Sequence, residues 1–269
     1  MKIIKFSSGL GNQIYIYLMY LYLKDVYPHE KFYGYYNKSF LSKHYGLEVD
    51  KVFDITMPSK TLQSDIVAFF CRSLRKVLPS IISTDKNFNI GAVYFDGYWQ
   101  KKEYMKFNNS IHFRDLDVGQ ENEKLKVEIQ SCCSVSLHIR RGDYYTPHFS
   151  SIYANICTLT YYQNAINYMI TRYPQAVFYV FSDDINWAKE NLKAENIKYV
   201  DNNREEKSYI DMYLMSLCKS NIIANSSFSF WAAMLNRNDE KTVVYPEKWK
   251  NNECLPDVFP TNWVKMKID

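Results

Sequence analysis

Hydrophobic and polar positions alternate in blocks along the second half of the chain. Ser134 to Ile139 reads as a strand, Thr160 to Tyr173 as a helix closed by Pro174, and Ala176 to Phe181 as a β-branched and aromatic strand. A helix over Ile185 to Leu192, a strand over Ile197 to Val200 and a helix over Glu205 to Lys219 follow. A strand at Asn221 to Ala224, a helix at Ser226 to Asn236 and a final strand at Thr242 to Tyr245 complete the series. Strands alternating with helices of about 10–15 residues predict βαβ units and a parallel sheet.

The first half is less regular. Ile3 to Phe6 is a short strand, and the glycines at 9 and 11 allow a tight turn into an apolar helix over Ile14 to Tyr27, buried on most sides. Lys31 to Tyr36 reads as a second strand, Leu41 to Lys60 as irregular, and Asp65 to Leu78 as an amphipathic helix ending before Pro79. Ala92 to Phe95 is another short strand. From Gly119 to Lys124 the composition turns polar and charged, which places a boundary there and gives halves of 1–118 and 119–269, the last residues able to pack back on the first half.

A chain of 269 residues makes one large domain or two small ones. Hydrophobic residues at 47% and charged residues at 23% exclude a disordered or collagen-like chain. The net charge of +4 is too small for a nucleic-acid partner. Aromatics reach 17%, which either reflects coding bias or supplies faces for sugar rings; a single Tyr is read as a partly buried amphipath. The six Cys lack C-x-x-C spacing, and adjacent Cys132 and Cys133 would make a strained bridge, so structural thiols in a reducing, cytoplasmic setting are expected. The run Ile14 to Leu23 is short of the roughly 20 residues a bilayer helix needs. Ser7 to Gln13 interrupts the apolar start, so no signal peptide is read there.

In a parallel sheet, ligands bind beyond the carboxyl ends of strands. That rule selects the segments after Phe6, Ile139, Phe181 and Ala224. Gly9-Leu10-Gly11-Asn12-Gln13 opens a helix and suits either close approach of a diphosphate or a plain turn capped by Asn12. In His138-Ile139-Arg140-Arg141-Gly142-Asp143-Tyr144, strand alternation puts His138 and Arg140 on one face and turns Arg141 away. An Arg fork matches phosphate oxygens, and the plainer reading is a buried Arg–Asp pair. An Arg-Gly-Asp adhesion signal does not suit a strand end. Asn225-Ser226-Ser227-Phe228-Ser229 offers more short donors at a helix start than one cap requires, although capping alone is the simpler account. Phe181-Ser182-Asp183-Asp184 could hold a metal, accept from a purine or cap the next helix; capping is the expected fate of one carboxylate.

Together these segments, with Gly97-Tyr98-Trp99-Gln100 and Pro246-Glu247-Lys248-Trp249, resemble the family 11 glycosyltransferases, the bacterial α-1,2-fucosyltransferases among them. The matches run in order over nearly the whole chain. The resemblance implies a GT-B-like α/β fold of two Rossmann-like halves facing a cleft, the acceptor side in the first half and the GDP-sugar side in the second. It implies an inverting transferase that uses GDP-β-L-fucose as substrate, a galactose-terminated glycan as acceptor and no metal or other cofactor. By resemblance, Arg140 is the diphosphate residue, and His138 and Asp183 lie near the guanine. Asn225, Ser226, Ser227, Phe228 and Ser229 form the helix start that holds the nucleotide, joined on the donor side by Gly9, Gly11, Asn12, Gln13 and Arg141. Ser8 stands where the family often has Gly, and Phe230 where it often has Trp.

For chemistry, Arg140 and the helix start would balance charge on the leaving diphosphate. Asp143 is the motif's carboxylate, either the base that activates the acceptor hydroxyl or a brace for Arg140 or Arg141; His29 and Asp96 are further candidates. A metal-dependent transferase using Asp183 and Asp184, a non-catalytic sugar-binding module and a transferase of another GDP-sugar are the rivals. The helix at 65–78, with Arg72, Arg75 and Lys76, is expected to be an ordinary half-buried surface helix, with peripheral contact to anionic lipid as its alternative.

Overall fold

The computed structural model describes residues 1–36, 41 and 45–268, which divide into two units, Met1–Asp115 and Leu116–Asp269. The irregular stretch expected over 41–60 lies partly outside the described residues.

In the first unit, strands β1 (Lys2–Lys5), β2 (Phe32–Tyr35), β3 (Ile82–Ser83) and β4 (Tyr94–Phe95) form a parallel sheet in the order β2-β1-β4-β3. The two-residue β3 is too short to leave a periodic signal. Helix α1 (Leu10–Val26) begins earlier than expected, with Gly9 as its cap, and Ile14 through Met19 are all buried. A short α2 (Val49–Val52) follows. Helix α3 (Leu62–Leu74) is set by a reciprocal cap: the Ser64 N–H donates to Thr61 Oγ1 at 3.0 Å and the Thr61 N–H to Ser64 Oγ at 3.0 Å. It ends before the expected Leu78, and Pro79 opens a separate 3₁₀ turn. Ala68 and Cys71 of α3 pack with Ile3, Tyr35 and Tyr94.

The second unit starts with α4 (Gly119–Ser131), where the sequence reads as a polar boundary. Gly119 takes φ +77, which a residue with a Cβ rarely adopts. Of this helix only Asn122 and Ile129 are buried, and Asn122 Nδ2 donates to Asn203 Oδ1 at 2.9 Å. An amide, not an apolar stripe, docks it.

Strands β5 (Ser134–Ile139), β6 (Val177–Ser182), β7 (Ile197–Val200), β8 (Ser220–Ile222), β9 (Val243–Pro246) and β10 (Val264–Met266) pair in parallel, in the order β10-β9-β8-β5-β6-β7. The expected final strand is therefore followed by one more, at the sheet's edge. Every residue of β5 is buried. Val135, Leu137 and Ile139 join a core with Tyr161, Tyr162, Phe178 and Val180. The alternate residues are polar, and the two serines are satisfied: Ser134 Oγ accepts the Lys219 N–H at 3.1 Å and Ser136 Oγ the Asn221 amide at 2.7 Å.

The further helices of this unit are α5 (Ser150–Tyr153), α6 (Leu159–Arg172), α7 (Ile185–Asn191), α8 (Tyr209–Leu217) and α9 (Ser227–Leu235). The helix expected over 205–219 is split, a 3₁₀ turn at Glu205–Lys207 preceding α8. Among the described residues no helix is long and apolar enough to cross a membrane. Tyr15, Tyr94, Tyr104, Tyr161, Tyr162 and Tyr179 are among the largest fully buried side chains and are core residues.

Candidate active site

β5 is flanked by β6 and β8, and the chain leaves it at Arg140. Arg140 Nη2 donates to Asp143 Oδ1 at 2.8 Å, and Nη1 stands 2.9 Å from Asp183 Oδ2. Burial works against the guanidinium charge, but Asp183 and Asp143 outweigh it and hold Arg140 protonated above its ordinary range. The Tyr144 ring lies 5.5 Å from the guanidinium, and its hydroxyl donates to the Asn225 carbonyl at 2.9 Å.

Asp183 has a second task. Its Oδ1 accepts the backbone N–H of Arg141 at 2.8 Å. This needs room at Gly142, where a Cβ would stand 2.5 Å from Asp183 Oδ2. Arg141 turns the other way, as alternation predicts. Its Nε donates to Asp184 Oδ2 at 3.0 Å, and its guanidinium lies 4.2 Å from both the Tyr145 and Trp187 rings. Asp184 Oδ1 accepts the Trp187 N–H at 3.2 Å, so this carboxylate is the cap of α7. Sequence reasoning gave Tyr144, Tyr145 and Trp187 no part, and no linear spacing links Trp187 to Arg141.

His138 is buried beside the Phe228 ring at 5.7 Å. Burial, with help from Arg140, pushes its pKa down to about 3, so the imidazole is neutral. Its Nδ1 is buried with no hydrogen-bond partner.

The helix start at 225–229 is busier than a bare anion site. Asn225 Nδ2 donates to the carbonyls of Tyr153 and Trp249, each at 3.2 Å, and Oδ1 accepts from Cys157 Sγ at 3.4 Å. Ser226 caps α9 by accepting the Phe228 N–H at 3.3 Å. Ser229 Oγ accepts the Ala224 N–H at 3.2 Å and donates to the Ser226 carbonyl at 3.3 Å. Ser227 is the half-buried hydroxyl of the group. Phe230 packs at 5.4 Å from both the Phe259 and Trp263 rings.

The Gly9–Gln13 segment departs from expectation. Residues 10–13 are the first turn of α1, and Asn12 does not cap it; its Nδ2 donates to Ser8 Oγ at 3.0 Å. Gln13 is fully buried, its Nε2 donating to the Ser8 and Gly46 carbonyls and its Oε1 accepting from the N–H groups of Glu48 and Val49. At this helix start the Glu48 carboxyl accepts from the Leu10 N–H, a contact that favours its ionised form. Burial nevertheless pushes Glu48 up to about 7. Gln13 therefore braces the first unit, and its amide has no capacity left for a ligand. Ser8 takes φ +67, the left-handed region that favours Gly.

Of the other candidate bases, Asp96 follows β4 and pairs with Lys5 at 2.7 Å. His29 lies on the exposed turn that enters β2, at the amino ends of the strands, away from where a parallel sheet holds its ligands. Among the described residues, no three His, Cys, Asp or Glu side chains are placed to hold a metal.

The model of Glycosyl transferase family 11 matches residues 23–267. The chain belongs to glycosyltransferase family 11. The match begins beyond the Gly9–Gln13 segment and includes the whole of the Arg140 cluster. Among its relatives, this family 11 enzyme is 31% identical to an Escherichia coli protein named alpha-1,2-colitosyltransferase, over 98% of each chain. It is 42% identical to the O-antigen biosynthesis glycosyltransferase WbnK of E. coli, over 52% of this chain and 47% of that one. A galactoside alpha-(1,2)-fucosyltransferase 1 from Saimiri boliviensis boliviensis is 28% identical over 50% of this chain and 38% of its own.

Among solved structures, the NodZ alpha-1,6-fucosyltransferase soaked with GDP-fucose matches with a TM-score of 0.51 at 12% identity, covering 87% of this chain and 91% of that one. That likeness is one of fold, and it agrees with two Rossmann-like α/β units.

Proposed function

We propose that this family 11 enzyme transfers L-fucose from GDP-β-L-fucose to the 2-hydroxyl of a terminal galactoside, with inversion at the sugar carbon and without a metal. The observation that carries the reading is Arg140, a charged fork fixed at the carboxyl end of the central strand by Asp143 and Asp183. As the bond from fucose to the diphosphate breaks, negative charge grows on the β-phosphate. A guanidinium already held in place stabilises that charge without reorganising. The first-turn N–H groups of α9 around Ser227 add the positive end of a helix dipole. The neutral His138 imidazole, beside the Phe228 ring, lines the nucleotide side of this loop.

In this reading Asp143 and Asp183 are positioning residues, because each is engaged with Arg140. Arg141 holds the loop between Tyr145, Trp187 and Asp184. Two observations support metal independence over a paired-carboxylate metal site: Asp183 neutralises Arg140, and Asp184 neutralises Arg141 while capping α7.

The second reading is transfer of another GDP-sugar, favoured by the relative named as a colitosyltransferase that matches over nearly the full length. Thermal shift against GDP, GDP-fucose and UDP-sugars separates donor classes, since a bound nucleotide raises apparent stability. GDP and GDP-fucose are expected to raise Tm and UDP-sugars to leave it unchanged. With a β-galactoside acceptor, NMR should show an α-1,2-fucosyl product. Transfer of a colitosyl group in preference to fucose would replace the donor, and a β-linked product would end the inverting assignment.

A further inference from the structure

Helix α3 faces the wrong way for an ordinary surface helix. The side it buries is small, made of Ser64, Ala68 and Cys71. Its large apolar side chains lie on the opposite side: Leu62, Ile66, Phe70 and Leu74 follow one another at i to i+4 spacing, with Phe69 beside them. Leu62 is 78% exposed, Phe69 61% and Phe70 57%. The two phenyl rings meet edge to face at 5.9 Å. Past the helix end, Val77 at 75% and Leu78 at 47% exposure extend the same apolar segment. A folded surface seldom gathers large apolar side chains like this unless something covers them.

Charge selects the occupant. Exposed Arg75 and Lys76 sit between Leu74 and Val77, so the apolar strip carries cations at its end. The one acidic side chain of the helix, Asp65, is paired with Lys60 at 3.3 Å. An apolar strip with a cationic end fits a surface that is apolar inside and anionic at its rim, which is a bilayer containing anionic lipid. A second copy paired through the same face brings Arg75 and Lys76 no carboxylate from its own helix beyond Asp65, which Lys60 already engages. We propose that α3 and the Arg75–Leu78 segment form a peripheral docking surface for anionic membranes. The proposal is independent of the donor and acceptor assigned above.

The test is flotation of the whole protein with vesicles of phosphatidylcholine alone and with roughly a third phosphatidylglycerol added. The protein should float with the anionic vesicles at low salt, and less at high salt. Replacing both phenylalanines (Phe69→Ser with Phe70→Ser) should abolish flotation. Replacing both cations (Arg75→Ser with Lys76→Ser) should weaken partition by about tenfold or more. Both pairs are exposed, so melting and donor turnover on a soluble acceptor should stay as in the unaltered protein. Absence of protein from every floating fraction, or flotation that survives the phenylalanine changes, would overturn the proposal. So would a dimer in sedimentation that the same changes dissociate, which would give the face to a second copy.

Discussion

Arg140 Nη1 stands 2.9 Å from Asp183 Oδ2, an ion pair that ties the exit of β5 to the exit of β6. The same carboxylate takes the Arg141 N–H on its other oxygen. One side chain thus fixes both the guanidinium and the backbone that follows it. The strands beneath are in register, Ile139 opposite Ser182, so the pair rests on the sheet itself.

The fork geometry makes Lys a poor replacement at 140, because one ammonium cannot meet two directions at once. Arg140→Lys is expected to lower kcat by at least about a hundredfold while circular dichroism stays unchanged. Arg141→Lys should cost less turnover, since its guanidinium packs between Tyr145 and Trp187. Near-normal turnover by Arg140→Lys, or a larger loss at Arg141, would remove Arg140 from its role.

Gly142 tests the same pair without touching a charge. Its substitution by Ala places a methyl group against Asp183, which must retreat from Arg140. Displacements of this kind cost about 10²-fold in catalysis. Gly142→Ala is expected to lose activity on that scale and keep its melting temperature to within a few degrees. An unchanged kcat would show that the Arg140–Asp183 pair is dispensable.

Gln13 should behave as a scaffold residue. Gln13→Ala strips hydrogen bonds from two carbonyls and two N–H groups inside the first unit. The expected loss in urea unfolding is about 4 kcal/mol or more, at 1–3 kcal/mol for each of the four groups left unsatisfied. The KM for the donor should move little. A raised donor KM at unchanged stability would return Gln13 to the binding site.

Metal independence is checked by turnover in EDTA, which should equal turnover in its absence. Loss of most activity, restored by Mg²⁺ or Mn²⁺, would assign Asp183 and Asp184 to a cation after all.

Asp211 makes stability depend on pH. It lies half-buried on α8, and loss of solvation pushes its carboxyl from 3.8 up to about 8, opposed by the Asn203 amide that donates to it at 2.8 Å. Through that window the folded chain keeps a proton the unfolded chain has lost. Its contribution is fully present below the unfolded pKa and declines as pH rises to about 8, at about 1.4 kcal/mol per pH unit. Glu48, raised to about 7, acts in the same direction over a narrower range. Asp211→Asn should shrink the difference in urea stability between pH 5 and pH 8. An unaltered difference would mean that Asp211 does not titrate there.

Strands β5 and β7 of the second unit were legible because apolar residues alternate with polar ones in β5 and β-branched and aromatic residues dominate β7, and both fall on the residues the pattern marks. Helix α4 was hidden since an amide docks it, and β10 since its three residues pair only along one edge. In the site, strand alternation sufficed to separate Arg140 from Arg141. It could not show that Asp183 would reach across to Arg140, because that contact depends on the register of two strands and the bare Gly142. The number of donors at 225–229 does not show how they are used within the fold. Asn225 and Ser229 turn inward to hold neighbouring carbonyls and N–H groups, which no count of polar residues can reveal.

A cation shared with two resident carboxylates has a consequence for the end of the reaction cycle. Under the proposed transfer from a GDP-sugar, the released GDP carries its full charge and would cling to an unshared guanidinium. Asp143 and Asp183 would then take Arg140 back, lowering the barrier to product departure while holding the fork for the next donor. On that reading the carboxylates that aim Arg140 also keep it from becoming a trap.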